Sequence, residues 1–160
     1  MLGTVGIISD SRIVDENKIL PSRVYEVFDG VDFIIHAGNI CQQRVLDDLA
    51  SIAPVEAVAG DLDDPNIFSP RLPRFKKITF EGFNIGISNE TPSVEVIQTQ
   101  KINILVHGST CVPKIEESQE LRLSLNPGTP FGSLNPKQSN GTVILLKHKN
   151  NLLFSYIVKL

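Results

Sequence analysis

Short apolar runs that stop abruptly constrain this chain more than any other feature. Thr4–Ile8 ends at Ser9-Asp10, Asp32–His36 at Ala37-Gly38-Asn39, Val55–Ala59 at Gly60-Asp61, Asn84–Ile87 at Ser88-Asn89, and Ile102–Val106 at His107-Gly108. The runs are continuous rather than alternating, which suits strands covered on both faces, as in layered α/β folds. Helical spacing separates them. Pro21–Phe28 places Val24, Val27 and Phe28 on one face, and Gln42–Ile52 does the same with Val45, Leu46, Leu49 and Ile52. A third helix is predicted over Ser93–Gln100, with capping chemistry at Ser22 and around Thr91-Pro92-Ser93. Asp61–Pro73, interrupted by Pro65 and Pro70, reads as a loop. Phe75–Phe80 and Phe83–Ile87 read as a hairpin across Glu81-Gly82. The C-terminal third turns to strands, at Leu121–Leu125, Thr142–Lys147 and Leu152–Val158, the last two joined by Asn150-Asn151.

One compact domain over 1–160 fits this pattern, since no linker, repeat or low-complexity tract interrupts it. A hydrophobic content of 41% and a charged content of 21% are ordinary for a globular chain. The formal net charge of −3 gives no electrostatic reason to expect a nucleic-acid partner. No segment approaches a membrane span, so no membrane partner is expected. The two cysteines, Cys41 and Cys111, do not suggest a disulfide framework, and a reducing cytoplasm is the expected compartment.

Ligands of open α/β sheets bind beyond the carboxyl ends of the strands. The residues that end the runs are therefore the candidate site: Asp10, Asn39, Asp61 and Asn89, with Ser109 and Cys111 past the Gly108 turn. Taken singly, each is explained by turn chemistry, because Asp and Asn bond their own backbone. Four strand ends carrying them together point to a shared polar pocket.

The order of these segments resembles the calcineurin-like metallophosphoesterases, in particular their small bacterial and archaeal phosphodiesterase branch. Ile7-Ile-Ser-Asp-Ser-Arg12 is similar to that family's Asp-x-His motif, and Phe33-Ile-Ile-His-Ala-Gly-Asn-Ile40 to its Gly-Asp motif. Val58-Ala-Gly-Asp-Leu-Asp63 resembles Gly-Asn-Cys-Asp, and Ile85-Gly-Ile-Ser-Asn-Glu-Thr91 takes the place of His-Gly-His. Val106-His-Gly-Ser-Thr-Cys111 takes that of Gly-His-Thr-His, and Leu125-Asn-Pro-Gly-Thr129 matches Asn-Pro-Gly-Ser. The resemblance implies an α/β fold in which β-sheets form a central sandwich flanked by helices. It also implies a site where two divalent ions clamp a phosphoryl group and activate a bridging hydroxide.

Carried over residue by residue, the first metal-binding Asp is Asp10, and the histidine that follows it is Arg12. The bridging Asp falls on Asn39 and the family Asn on Asp61, so the carboxylate count is kept while the positions exchange. The remaining ligand histidines fall on Asn89, Ser109 and Cys111. Asp63 matches a residue near the substrate, and Asn126 sits in the turn beside the site. His36 and His107 are expected to be structural, and His148 to lie exposed in the C-terminal hairpin.

Two readings follow. In the first, Asp10, Asn39, Asp61 and Asn89 form an oxygen-only set for one hard cation such as Mg²⁺, Mn²⁺ or Ca²⁺. A dinuclear site is then disfavoured and phosphate-ester hydrolysis is weak or altered. In the second, the Arg12 guanidinium lies between Asp10 and Asp61 in place of the metals. The chain is then a non-catalytic binding or scaffold module, for an anionic small molecule or a protein. For the enzyme reading Arg12 and Asp63 are the candidate catalytic residues, and Ser109, Cys111 and Asn126 line the phosphate pocket.

Overall fold

The computed structural model describes residues 2–132 and 140–160. Two five-stranded sheets lie face to face. The first contains β1 (Gly3–Ile8), β2 (Phe33–His36), β3 (Val55–Ala57), β9 (Thr142–Lys149) and β10 (Leu152–Lys159), in the order β10-β9-β1-β2-β3. The second contains β4 (Phe75–Phe80), β5 (Phe83–Ser88), β6 (Ile104–Val106), β7 (Lys114–Glu116) and β8 (Leu123–Asn126), in the order β4-β5-β6-β8-β7. Helices α1 (Ser22–Val27) and α2 (Gln43–Ala50) cover the first sheet, and α3 (Val94–Thr99) packs on the second.

The layers explain why the runs are continuous. In β1, Val5 and Ile7 enter the core between the sheets with Ile35, Ile87, Val106 and Leu125. Ile8 turns instead to the core under the helices, with Val24, Phe28, Leu46 and Leu49. A strand buried on both faces has no polar alternation to display. Ile97 of α3 closes a smaller core with Ile102, Leu105 and Leu121.

The hairpin connections follow the turn chemistry. Glu81-Gly82 and Asn150-Asn151 all have positive φ, as two-residue turns matched to strand twist require. Ser93 caps α3 through its hydroxyl, which accepts the Val96 N–H at 3.3 Å. Ser22 does not cap: it is already the first helical residue, behind Pro21. The strand β7 has no counterpart in the sequence pattern, because three residues at a sheet edge carry no periodicity. Among the described residues no helix is long and apolar enough to cross a membrane.

Candidate active site

The parallel pairs β1/β2 and β5/β6 send their carboxyl ends to the same side of the molecule. Beyond the strands the main chain stays zipped. Asp10 N–H donates to Gly38 O at 2.9 Å, Arg12 N–H to Asn39 O at 2.8 Å, and Gly108 N–H to Asn89 O at 2.9 Å. Three loops share a strained pattern: Asp10 and Arg12, Asn39 and Cys41, and Ser109 and Cys111 all have φ between 47° and 75°. Asp and Asn tolerate this region. For Arg, Cys and Ser it is a cost of about 1–3 kcal/mol each, sustained only because the surroundings over-determine it. Gly108 is required for a different reason: a Cβ there would collide with the Ser9 hydroxyl and the Asp10 carboxylate.

Asp10 is the centre. Its side chain is fully buried, and its oxygens accept four hydrogen bonds. Oδ1 accepts from Asn39 Nδ2 at 2.8 Å and Arg12 Nη2 at 3.3 Å; Oδ2 accepts from the Ser9 hydroxyl at 2.6 Å and the Ser109 N–H at 2.9 Å. The orientation of Asn39 is set by its other contact. Its Oδ1 accepts the Leu62 N–H at 3.0 Å, so the amino group must face Asp10 and the Asn89 oxygen, the latter at 3.1 Å. Asn89 in turn donates to Ala37 O at 2.8 Å. Asp10, Asn39 and Asn89 are thus joined in one buried chain of amides and a carboxylate.

The remaining sequence candidates separate around this chain. Arg12 does reach Asp10, with Nη2 also 3.4 Å from Ser109 O, and its side chain is 44% exposed. It does not bridge to Asp61. That carboxylate lies in solvent, 68% exposed, paired with Arg74 at 3.1 Å. Asp63 is buried but faces main chain alone. Its Oδ1 accepts the Ile40 and Cys41 N–H groups at 2.9 and 2.7 Å, and its Oδ2 the Gly60 N–H at 2.8 Å. Such a carboxylate ties the loop after β2 to the loop after β3, with three of its roughly four acceptor directions spent on main chain. Asn126 is likewise a clip: its amide donates to Gly108 O at 3.2 Å and the Thr110 hydroxyl at 2.9 Å, and accepts the Gly128 N–H.

Ser109 offers its main chain, N–H to Asp10 and carbonyl to Arg12. Cys111 borders a cavity of about 340 Å³ together with Asp10, Arg12, Lys18, Thr129 and Phe131. Burial pushes the Cys111 thiol up, and Asp10 adds to the effect, so a reactive thiolate is disfavoured.

Below the site His36 is fully buried. Gly38 N–H donates to its Nδ1 at 3.2 Å, which leaves the proton on Nε2, 2.9 Å from the Ser11 hydroxyl. Burial holds its pKa down to about 4, against the opposite pull of Asp63 and Asp10. It is a neutral strut between Ser11 and Gly38. His107 lies away from Asp10, at 3.0 Å from the Ser124 hydroxyl. His148 is not exposed as expected: its side chain is largely covered because it packs edge-on against Phe80 and Phe83 beside Glu81. Among the described residues, no group of three or more His, Cys, Asp or Glu side chains converges as a metal site. Lys18 and Phe131 carry no signal in the sequence. They reach the cavity through long-range packing of irregular segments.

Comparison with known proteins places this geometry in a lineage. The model of the calcineurin-like phosphoesterase superfamily domain matches residues 4–151. A probable metallophosphoesterase of Methanothermobacter thermautotrophicus is 29% identical over 163 aligned positions, covering 97% of this chain and 91% of that protein. Among solved structures, zinc-bound wild-type Vps29 from Entamoeba histolytica superposes with a TM-score of 0.74 at 20% identity, covering 98% of each chain. A structure described as a novel archaeal phosphodiesterase superposes with a TM-score of 0.73 at 19% identity, over 97% of this chain and 99% of that one.

Proposed function

We propose, from the premise that the chain belongs to the calcineurin-like phosphoesterase superfamily, that it keeps the family scaffold as a binding module and has lost two-metal hydrolysis. The observation that carries this reading is the saturation of Asp10. Four donors, one of them the Arg12 guanidinium, already fill its acceptor directions. The residues present do not fit the family's divalent ions. A cation at Asp10 would face the Asn39 amino group, and turning that amide over would set its NH₂ against the Leu62 N–H. Asp61, the second carboxylate of the expected set, is held outward by Arg74.

In this reading Arg12 supplies fixed positive charge where the family has metal. The guanidinium and the Asn39 amide stand against the buried carboxylate as its donors. No nucleophile is activated: Asp63 is engaged by main chain, and the thiol of Cys111 lacks a base. What remains is a polar mouth suited to an anionic small molecule or a protein partner, in a chain we assign to the cytoplasm.

The competing reading is a weak phosphodiesterase using one cation; the descriptions of its relatives support the phosphoesterase activity in it. Hydrolysis of a bis-aryl phosphodiester with added Mn²⁺, Mg²⁺ or Ca²⁺ decides between them. The expected result is no turnover above buffer. Turnover that disappears in Asp10→Ala would restore the enzyme.

A further inference from the structure

We infer that the cavity beside Arg12 is a metal-independent subsite for a small phosphate-bearing anion, with Lys18 as its second cation and Arg44 as the residue that positions Lys18. The inference rests on the reading of Arg12 given above and deepens it.

The charge pattern of the cavity is uneven. Arg12 and Lys18 border it, and the single carboxylate there, Asp10, has its oxygens occupied from behind and from the side. Arg12 spends only Nη2 on protein partners among the described residues. Lys18 makes no ion pair among the described residues. Its ammonium instead stands 3.8 Å from the centre of the Phe131 ring, a contact that fixes a cation without neutralising it. The Thr129 hydroxyl accepts the Phe131 N–H at 3.4 Å, leaving its own proton to donate. Two cations and a hydroxyl around an open volume form an oxyanion site.

Lys18 is not a loose surface lysine. The segment that carries it has no regular structure, yet one side chain clamps it. Arg44 Nη2 donates to Asp15 O at 2.7 Å and Lys18 O at 2.6 Å, while its Nε donates to Gln42 Oε1 at 2.6 Å. Gln42 adds a bond to Val14 O at 2.8 Å. Arg44 sits in the first turn of α2, where the helix dipole disfavours a cation. Its place there is explained by the clamp, whose product is a Lys18 held over Phe131. A volume of about 340 Å³ lies at the small end of ligand sites. It suits a phosphate with a short organic group.

The test uses the whole protein stripped with chelator and kept in EDTA. Inorganic phosphate and glycerol phosphate are titrated by calorimetry at low salt, with sulfate in parallel. Saturable binding is expected, with a Kd on the order of millimolar for a few charge-assisted contacts at an open site. Lys18→Met, exposed enough to leave folding intact, weakens it by roughly tenfold. Arg44→Gln weakens it less, and adding Arg44→Gln to Lys18→Met causes no further loss, because Arg44 acts through Lys18. Multiplying losses would refute the positioning role. Absence of phosphate binding in EDTA, with equal indifference to Mn²⁺, refutes this subsite alone. Phosphate binding that appears only with Mn²⁺ and is lost in Asp10→Ala refutes both the subsite and the Arg12 reading.

Discussion

Two arginine–aspartate pairs border separate cavities, and they are not equivalent. Arg12–Asp10 spans 3.3 Å with the carboxylate at 0% exposure; Arg74–Asp61 spans 3.1 Å with both partners more than half exposed. Distance alone would rank the second pair higher. Burial reverses the order, because a charge removed from water depends on every donor supplied to it, whereas an exposed pair competes with solvent. Asp10 holds three loops together through Ser9, Asn39 and Ser109. Asp61 touches one side chain among the described residues.

The largest expected effect tests that difference directly. Asp10→Ala leaves buried donors without an acceptor and should destabilise the fold by about 3–5 kcal/mol in urea or thermal unfolding. A loss below about 1 kcal/mol would make the two pairs alike and break the comparison.

The next concerns the ground on which the buried pair stands. His36 is neutral in the folded protein, with a pKa lowered to about 4 from the ordinary 6.5. The unfolded chain therefore binds the extra proton first. Its contribution is fully present above about pH 6.5 and is lost as pH falls toward 4, amounting to about 3 kcal/mol. Unfolding at pH 7 and pH 4.5, with His36→Gln as reference, measures it; a variant with the same pH slope as wild type would contradict the assignment.

A smaller effect belongs to Asp63. In Asp63→Asn the amide must turn its NH₂ toward either the Gly60 N–H or the Ile40 and Cys41 N–H groups, at about 2 kcal/mol. Equilibrium unfolding should show that loss. Smallest of all, Asp61→Asn and Arg74→Ala should each stay within about 1 kcal/mol of wild type, with any difference vanishing in high salt.

The same contrast marks what the sequence made legible. Strands buried on both faces announce themselves by continuous apolar runs, so β1, β2, β5 and β6 were readable along with the loops at their ends. Asp10 and Asp61 look alike in that pattern, since each follows a strand and a small residue. What separates them is Arg74, thirteen positions past Asp61 and brought back by the long loop, a contact no local rule contains. The oxygen-only ligand set failed to anticipate the direction of Asn39 for the same reason. Its amide is oriented by the Leu62 N–H from another loop. Lys18 and Phe131 meet across more than a hundred residues, while Asn126 and Asp63 resemble site residues in sequence because their family positions lie near chemistry. Here Asp63 accepts from main-chain N–H groups, and Asn126 bonds main chain and the Thr110 hydroxyl.

The claim that Arg12 stands where the family holds metal is tested most directly by titrating Mn²⁺ into chelator-stripped wild type and Arg12→His in the calorimeter. The account predicts no saturable heat from wild type up to the millimolar range, with at most weak binding gained by the histidine variant. Stoichiometric micromolar binding by wild type, abolished in Asp10→Ala, would contradict it.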